Sequence, residues 1–93
     1  MRVWSLLDQV PAPFDCVLGC ELDPNGHVGA HVQEDCAEVV IVTDGEGEAH
    51  VSGTSVTLTP GAVVPLPLGA SLELSNASRS QPLRYLIVKA LLG

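Results

Sequence analysis

Ninety-three residues with a net charge of −7, 46% hydrophobic and 16% charged, describe a single domain with little polar surface to spare. That balance argues against disorder. The negative charge argues against nucleic acid and against anionic membrane as partners, because the four cations Arg2, Arg79, Arg84 and Lys89 are scattered rather than clustered. In chain order, Met1 to Gln9 gives a weak helical signal, with a short apolar run at Val3 to Leu6 that stops before Pro11-Ala-Pro13. Phe14 to Leu22 follows with Phe14, Cys16, Leu18, Cys20 and Leu22 at period two and polar Asp15 and Glu21 on the other phase, which predicts a half-buried strand. Asp23-Pro-Asn-Gly26 is a turn. The β-branched run from Glu38 to Thr43 is apolar on both phases and reads as a central strand covered on each side. Asp44 to Gly47 turns the chain, Glu48 to Ser52 returns it, and Gly53-Thr54 turns it again before Ser55 to Leu58. Leu72 to Leu74 and Leu83 to Val88 supply the last strands, on either side of a polar loop from Asn76 to Gln81. Turn signals recur throughout, so the expected class is a small all-β sandwich or barrel.

Met1 to Val10 is too short and too polar for a signal peptide, and no apolar run approaches membrane-spanning length. Three cysteines, Cys16, Cys20 and Cys36, cannot form a complete disulfide framework within one chain. Reduced thiols in the cytoplasm are the expectation. Cys16 and Cys20 share one face of a strand at a spacing too long to bridge, and read as small core residues.

Two motifs carry a family resemblance. Gly61, Pro67, Gly69, Leu72 and Asn76 have the spacing of the second motif of the cupin superfamily, in which residue 72 would be a metal-binding histidine. Gly26, His31, Gln33, Glu38 and Gly45 follow the first motif, which runs glycine, His-x-His, glutamate, glycine. The chain therefore resembles a small single-domain cupin over residues 26–76. The fold implied for residues 1–93 is a β-barrel of the double-stranded β-helix (jelly roll) kind, with residues 1–13 as an N-terminal arm that a dimer could exchange.

What the resemblance implies about the site is a depleted metal centre. Its four ligand positions fall on His31, Gln33, Glu38 and Leu72, so an imidazole and a carboxylate remain while an amide is weak and an alkyl group is inert. The cofactor expectation is none, or a weakly held divalent transition metal on His31, Gln33 and Glu38. Cys36, two residues before Glu38, could join them unless the Glu34-Asp35 turn swings it away. His27 could curl inward, and His50 reads as a surface residue. His31 and Glu38 could also act as a coupled acid–base pair. Tyr85 and Arg84 alternate on the last strand, so one would line the ligand pocket, Tyr85 with a hydroxyl or Arg84 with an anion site. Trp4 reads as packing or a dimer contact.

Three functions follow from this. The first is a metal-free or weakly metal-binding barrel that holds a small molecule. The alternatives are a small cupin enzyme of isomerase, lyase or dioxygenase type, and a non-catalytic dimeric scaffold. A homodimer is expected in each case, because a chain this short buries only about 60–65% of its unfolded surface and carries apolar runs at Val3 to Leu7 and Leu86 to Leu92.

Overall fold

The computed structural model describes residues 1–91, which form nine strands and no helix. Leu92, the end of the C-terminal apolar run, lies outside the described residues. In order the strands are β1 (Arg2–Ser5), β2 (Phe14–Leu22), β3 (His27–Val32), β4 (Cys36–Asp44), β5 (Gly47–Val51), β6 (Thr54–Leu58), β7 (Val63–Leu66), β8 (Ser71–Asn76) and β9 (Leu83–Leu91). A five-stranded sheet runs β1-β2-β9-β4-β7 and a four-stranded sheet runs β3-β8-β5-β6. Every pairing is antiparallel. The fold is the all-β class expected from the turn pattern and the jelly roll that the motif resemblance implied.

Period-two burial explains how the sheets face each other. On β4, Cys36, Glu38, Val40 and Val42 are buried while the residues between them are half-buried. On β8 the buried set is Leu72, Leu74 and Asn76. These faces meet with Leu22, Leu58, Leu66 and Leu83 in one core between the sheets. Each such large side chain contributes about 1.5–3 kcal/mol on burial.

The turns carry the expected chemistry. Ser52 (φ 46°) and Gly53 (φ 86°) form the two-residue loop between β5 and β6, a primed hairpin turn whose twist matches its strands. Gly45 has φ +91°, and a Cβ there would stand 2.5 Å from the Pro82 carbonyl oxygen, so glycine is required on two counts. β7 contains Pro65, which is tolerated because β7 is a sheet edge with no further strand awaiting its N–H.

Two expectations need correction. The weak helical signal at the N-terminus is overridden by pairing: β1 lies along β2 of its own chain, from Arg2 opposite Glu21 to Ser5 opposite Leu18. Trp4 packs flat over Gly19, where any Cβ would meet the indole at 2.5–2.7 Å, and Arg2 sits 5.8 Å from its ring centroid. The second concerns β4, which was expected to be covered on both faces. Within one chain only the inner face is covered, and Val39 and Ile41 remain half-exposed beside the exposed side chains Phe14 and Val63. Among the described residues no helix is long and apolar enough to cross a membrane.

Candidate functional site

A cavity of about 160 Å³ opens between the two sheets. From the four-stranded sheet, His31, Leu72 and Leu74 line it; from the five-stranded sheet, Glu38, Tyr85, Ile87 and Lys89 do. The register dictates these positions. His31 stands directly across from Leu72, and Glu38 directly across from Lys89. A bulge aims the histidine. Between Val28 and His31, β3 advances three residues while β8 advances two, from Leu74 to Leu72. Without that extra residue, strict alternation would put Ala30 on the inner face and His31 outside.

The backbones of the two sequence motifs are bonded to each other here. Gln33 N–H donates to the Ala70 carbonyl at 2.9 Å, and Gly69 N–H donates to the Gln33 carbonyl at 2.7 Å. The turn of the second motif thus holds the end of the first beside the cavity. At the far end of the core, Asn76 closes the barrel. Its Nδ2 donates to the carbonyls of Leu22, Asp23 and Gln81 at 3.1, 3.1 and 2.8 Å, while its Oδ1 accepts from Ser78 N–H at 2.9 Å.

The polar groups of the cavity form an unbalanced set. Burial pushes the Glu38 carboxyl above its ordinary value, partly offset by Lys89, then His31, then the Gln33 amide. Gln33 is only 4% exposed, and its Nε2 makes no hydrogen bond of ordinary geometry although it lies near that carboxyl. His31 sits at the more open side, with Nδ1 donating to the Gly29 carbonyl at 3.3 Å. A carbonyl can only accept, so in the neutral ring the free lone pair is on Nε2. Burial raises the Cys20 thiol to about 11, which makes it an inert wall, and raises the Tyr85 phenol. The Tyr85 hydroxyl reaches toward Met1 Sδ at 3.8 Å.

A pH signature follows from Glu38. The native chain keeps this proton over a range in which the unfolded chain has released it. Stability therefore falls as pH rises from the ordinary 4.5 up to the raised native value. Urea midpoints measured across that range are expected to fall for the natural chain relative to Glu38→Gln. A difference that stays flat or rises with pH contradicts the placement of this carboxyl.

Each residue expected at the site can now be located. His31, Glu38, Leu72 and Tyr85 meet at the cavity, and Gln33 is buried behind the Glu38 carboxyl. Arg84 does not join them. With Tyr85 inward, alternation turns Arg84 outward, where its Nε donates to the Glu21 carboxylate at 2.9 Å. Cys36 is not swung away by the preceding turn; it is buried on the same face of β4 as Glu38, although it does not line the cavity. His27 pairs with Glu73 at 3.2 Å, and His50 with Glu48 at 3.5 Å, both outside the cavity. Lys89 was missed by the sequence reading, which counted it only among scattered cations. The signal was present: Leu83, Tyr85, Ile87 and Lys89 share one phase of β9, so an inward Tyr85 implies an inward Lys89.

The donor set does not fit a transition metal. Two of the four ligand positions of the motif pattern hold an amide and an alkyl group, and the stranded atom of Gln33 is a donor. Among the described residues no three His, Cys, Asp or Glu side chains converge on one point. Lys89 then adds a positive charge to the cavity that a divalent cation would occupy.

A two-sheet antiparallel barrel with these two interlocked motifs defines a double-stranded β-helix domain. The Cupin domain family model matches residues 20–89, so the chain belongs to the cupin superfamily. Solved structures agree. A predicted oxalate decarboxylase from Thermotoga maritima is 29% identical over 86% of this chain and 69% of its own, with a TM-score of 0.80. A protein from Thermus thermophilus is 25% identical over 98% of this chain and 83% of its own, with a TM-score of 0.84. The Cnp3 cupin domain of Schizosaccharomyces pombe shares the fold at 17% identity and a TM-score of 0.87, over 97% of this chain and 60% of its own. Among curated protein sequences, none matches.

Proposed function

We propose that this chain is a small-molecule-binding cupin barrel whose cavity works without a firmly held metal. The observation that carries this reading is the pair of facing contacts at the cavity, alkyl Leu72 opposite His31 and ammonium Lys89 opposite Glu38. The cavity is smaller than pockets for drug-sized ligands, which are ~300–1,000 Å³. At roughly 30 Å³ per water it has room for about five water-sized groups, so its ligand is small or protrudes. Titration of the ¹⁵N-labelled protein with neutral probes, butyramide and isobutanol, in metal-free buffer tests this directly. Saturable shifts at residues 31, 38, 72 and 89 are expected. No shift there, or binding only after transition metal is added, contradicts it.

A second reading, acid–base catalysis, has one observation in its favour. Gly29 fixes the His31 tautomer with a lone pair on Nε2, while burial favours the protonated form of Glu38, so a base and an acid line one cavity. In this reading His31→Gln and Glu38→Gln each abolish turnover while leaving ligand binding in place.

The natural assembly in this proposal is a two-fold homodimer through the outer face of the five-stranded sheet. A shallow apolar depression there of about 510 Å³ is lined by Phe14, Val39, Pro65, Val88 and Ala90. Glu38 also borders the depression but is itself buried, and one chain alone leaves Phe14 44% and Val63 58% exposed. Light scattering at micromolar concentration is expected to give twice the chain mass, and a monomeric mass contradicts the dimer. The three free thiols suit a reducing compartment such as the cytoplasm.

A further inference from the structure

Lys89 is the feature that the small-molecule reading leaves unexplained. It projects from β9, in the middle of the five-stranded sheet, into the cavity. No carboxylate among the described residues lies within ion-pair distance of it, although Glu38 is its cross-strand neighbour. The acidic groups that pair elsewhere are committed: Glu21 to Arg2 and Arg84, and Asp23 to the N-terminal ammonium. A half-buried ammonium without a counter-ion in so acidic a protein marks a place where something negative is missing. On the opposite wall, from the four-stranded sheet, Val28, Leu72 and Leu74 present alkyl groups.

We propose that the cavity recognises a short aliphatic carboxylate, its head group held by the Lys89 ammonium and its alkyl body against Leu72 and Leu74. This rests on the small-molecule reading above and names its ligand class. The other groups facing the head group are His31 from β3, Glu38 from β4 and Tyr85 from β9. Leu72 takes on a role here: an alkyl group where the motif pattern has an imidazole turns a polar cavity into an amphipathic one.

The test compares butyrate with butyramide, which have the same shape and differ in charge. NMR titration of the natural chain is expected to show butyrate binding at least about tenfold more tightly, the usual gain from a charge-assisted hydrogen bond over a neutral one. That preference is expected to vanish in Lys89→Met and to persist in Lys89→Arg. If Lys89→Met fails to give a folded ¹H–¹⁵N spectrum, Lys89→Gln, which keeps a polar end without the charge, takes its place. Equal binding of the two probes, or a preference that survives loss of the ammonium, overturns the proposal while leaving the small-molecule reading intact. Failure of both probes to shift the cavity residues overturns both.

Discussion

Replacing Leu72 with histidine is expected to create a metal site. The substitution places an imidazole directly across β3–β8 from His31, on the wall that faces Glu38. A complete four-ligand zinc site is worth about 10–16 kcal/mol. One added ligand therefore supplies about 3 kcal/mol, roughly a hundredfold in affinity. The metal-free variant should be less stable than the natural chain by about 2–4 kcal/mol, because residue 72 is only 1% exposed and a ring nitrogen would be buried there. Zinc should then restore the melting temperature in a concentration-dependent way, since binding to the folded state alone stabilises it. Adding Gln33→His should strengthen the effect, and Glu38→Ala should erase it. If zinc leaves the melting curve of Leu72→His unchanged, residues 31, 38 and 72 do not converge as described.

A large loss of stability is also expected at Asn76. Its amide nitrogen holds three backbone carbonyls from the β2–β3 turn and the loop before β9, and its oxygen holds Ser78 N–H. Asn76→Ala leaves these groups without partners at the closed end of the barrel, at a cost of about 3 kcal/mol. For a domain of this size that is a fall in Tm of roughly 12–24 °C. Asn76→Asp is expected to be no better, because a carboxylate keeps the acceptor for Ser78 but turns an anion toward three carbonyl oxygens. A fall of only a few degrees in both variants, measured by circular dichroism, contradicts the closing role of this side chain.

The motifs that were legible in the sequence are those in which local chemistry and tertiary position coincide. Gly45 must have positive φ and also lies against Pro82, so its place after Glu38 records two constraints at once. Asn76 is legible for a similar reason, since only a short amide serves both sides of the turn it closes. The alternation on β2 marked Cys20 and Leu22 as inward because that side of the strand is covered within the chain.

What escaped the sequence depends on partners far along the chain. β1 is a strand only because β2 offers it an edge, and nothing in Val3 to Leu6 records that edge. Phe14 was placed on the inner phase of β2, but the register shift between Phe14 and Cys16 turns it outward, where it is 44% exposed. The bulge in β3 has no strong residue signature either, yet it decides whether His31 faces the cavity. For Arg84 and Tyr85 the sequence left two phases open. The structure selects Tyr85, and that choice brings Lys89 inside with it.

The charge of Lys89 also explains why the cavity is read through ligand binding rather than metal binding. An ammonium on the central strand repels a divalent cation and attracts an anion, and Leu72 removes the imidazole that would have tipped the balance toward metal. Metal content is therefore the most direct measurement. After incubation of the natural chain with excess zinc, manganese or iron and thorough desalting, far less than one metal ion per chain should remain. Close to one ion per chain, lost in Glu38→Ala, would contradict the account at its centre.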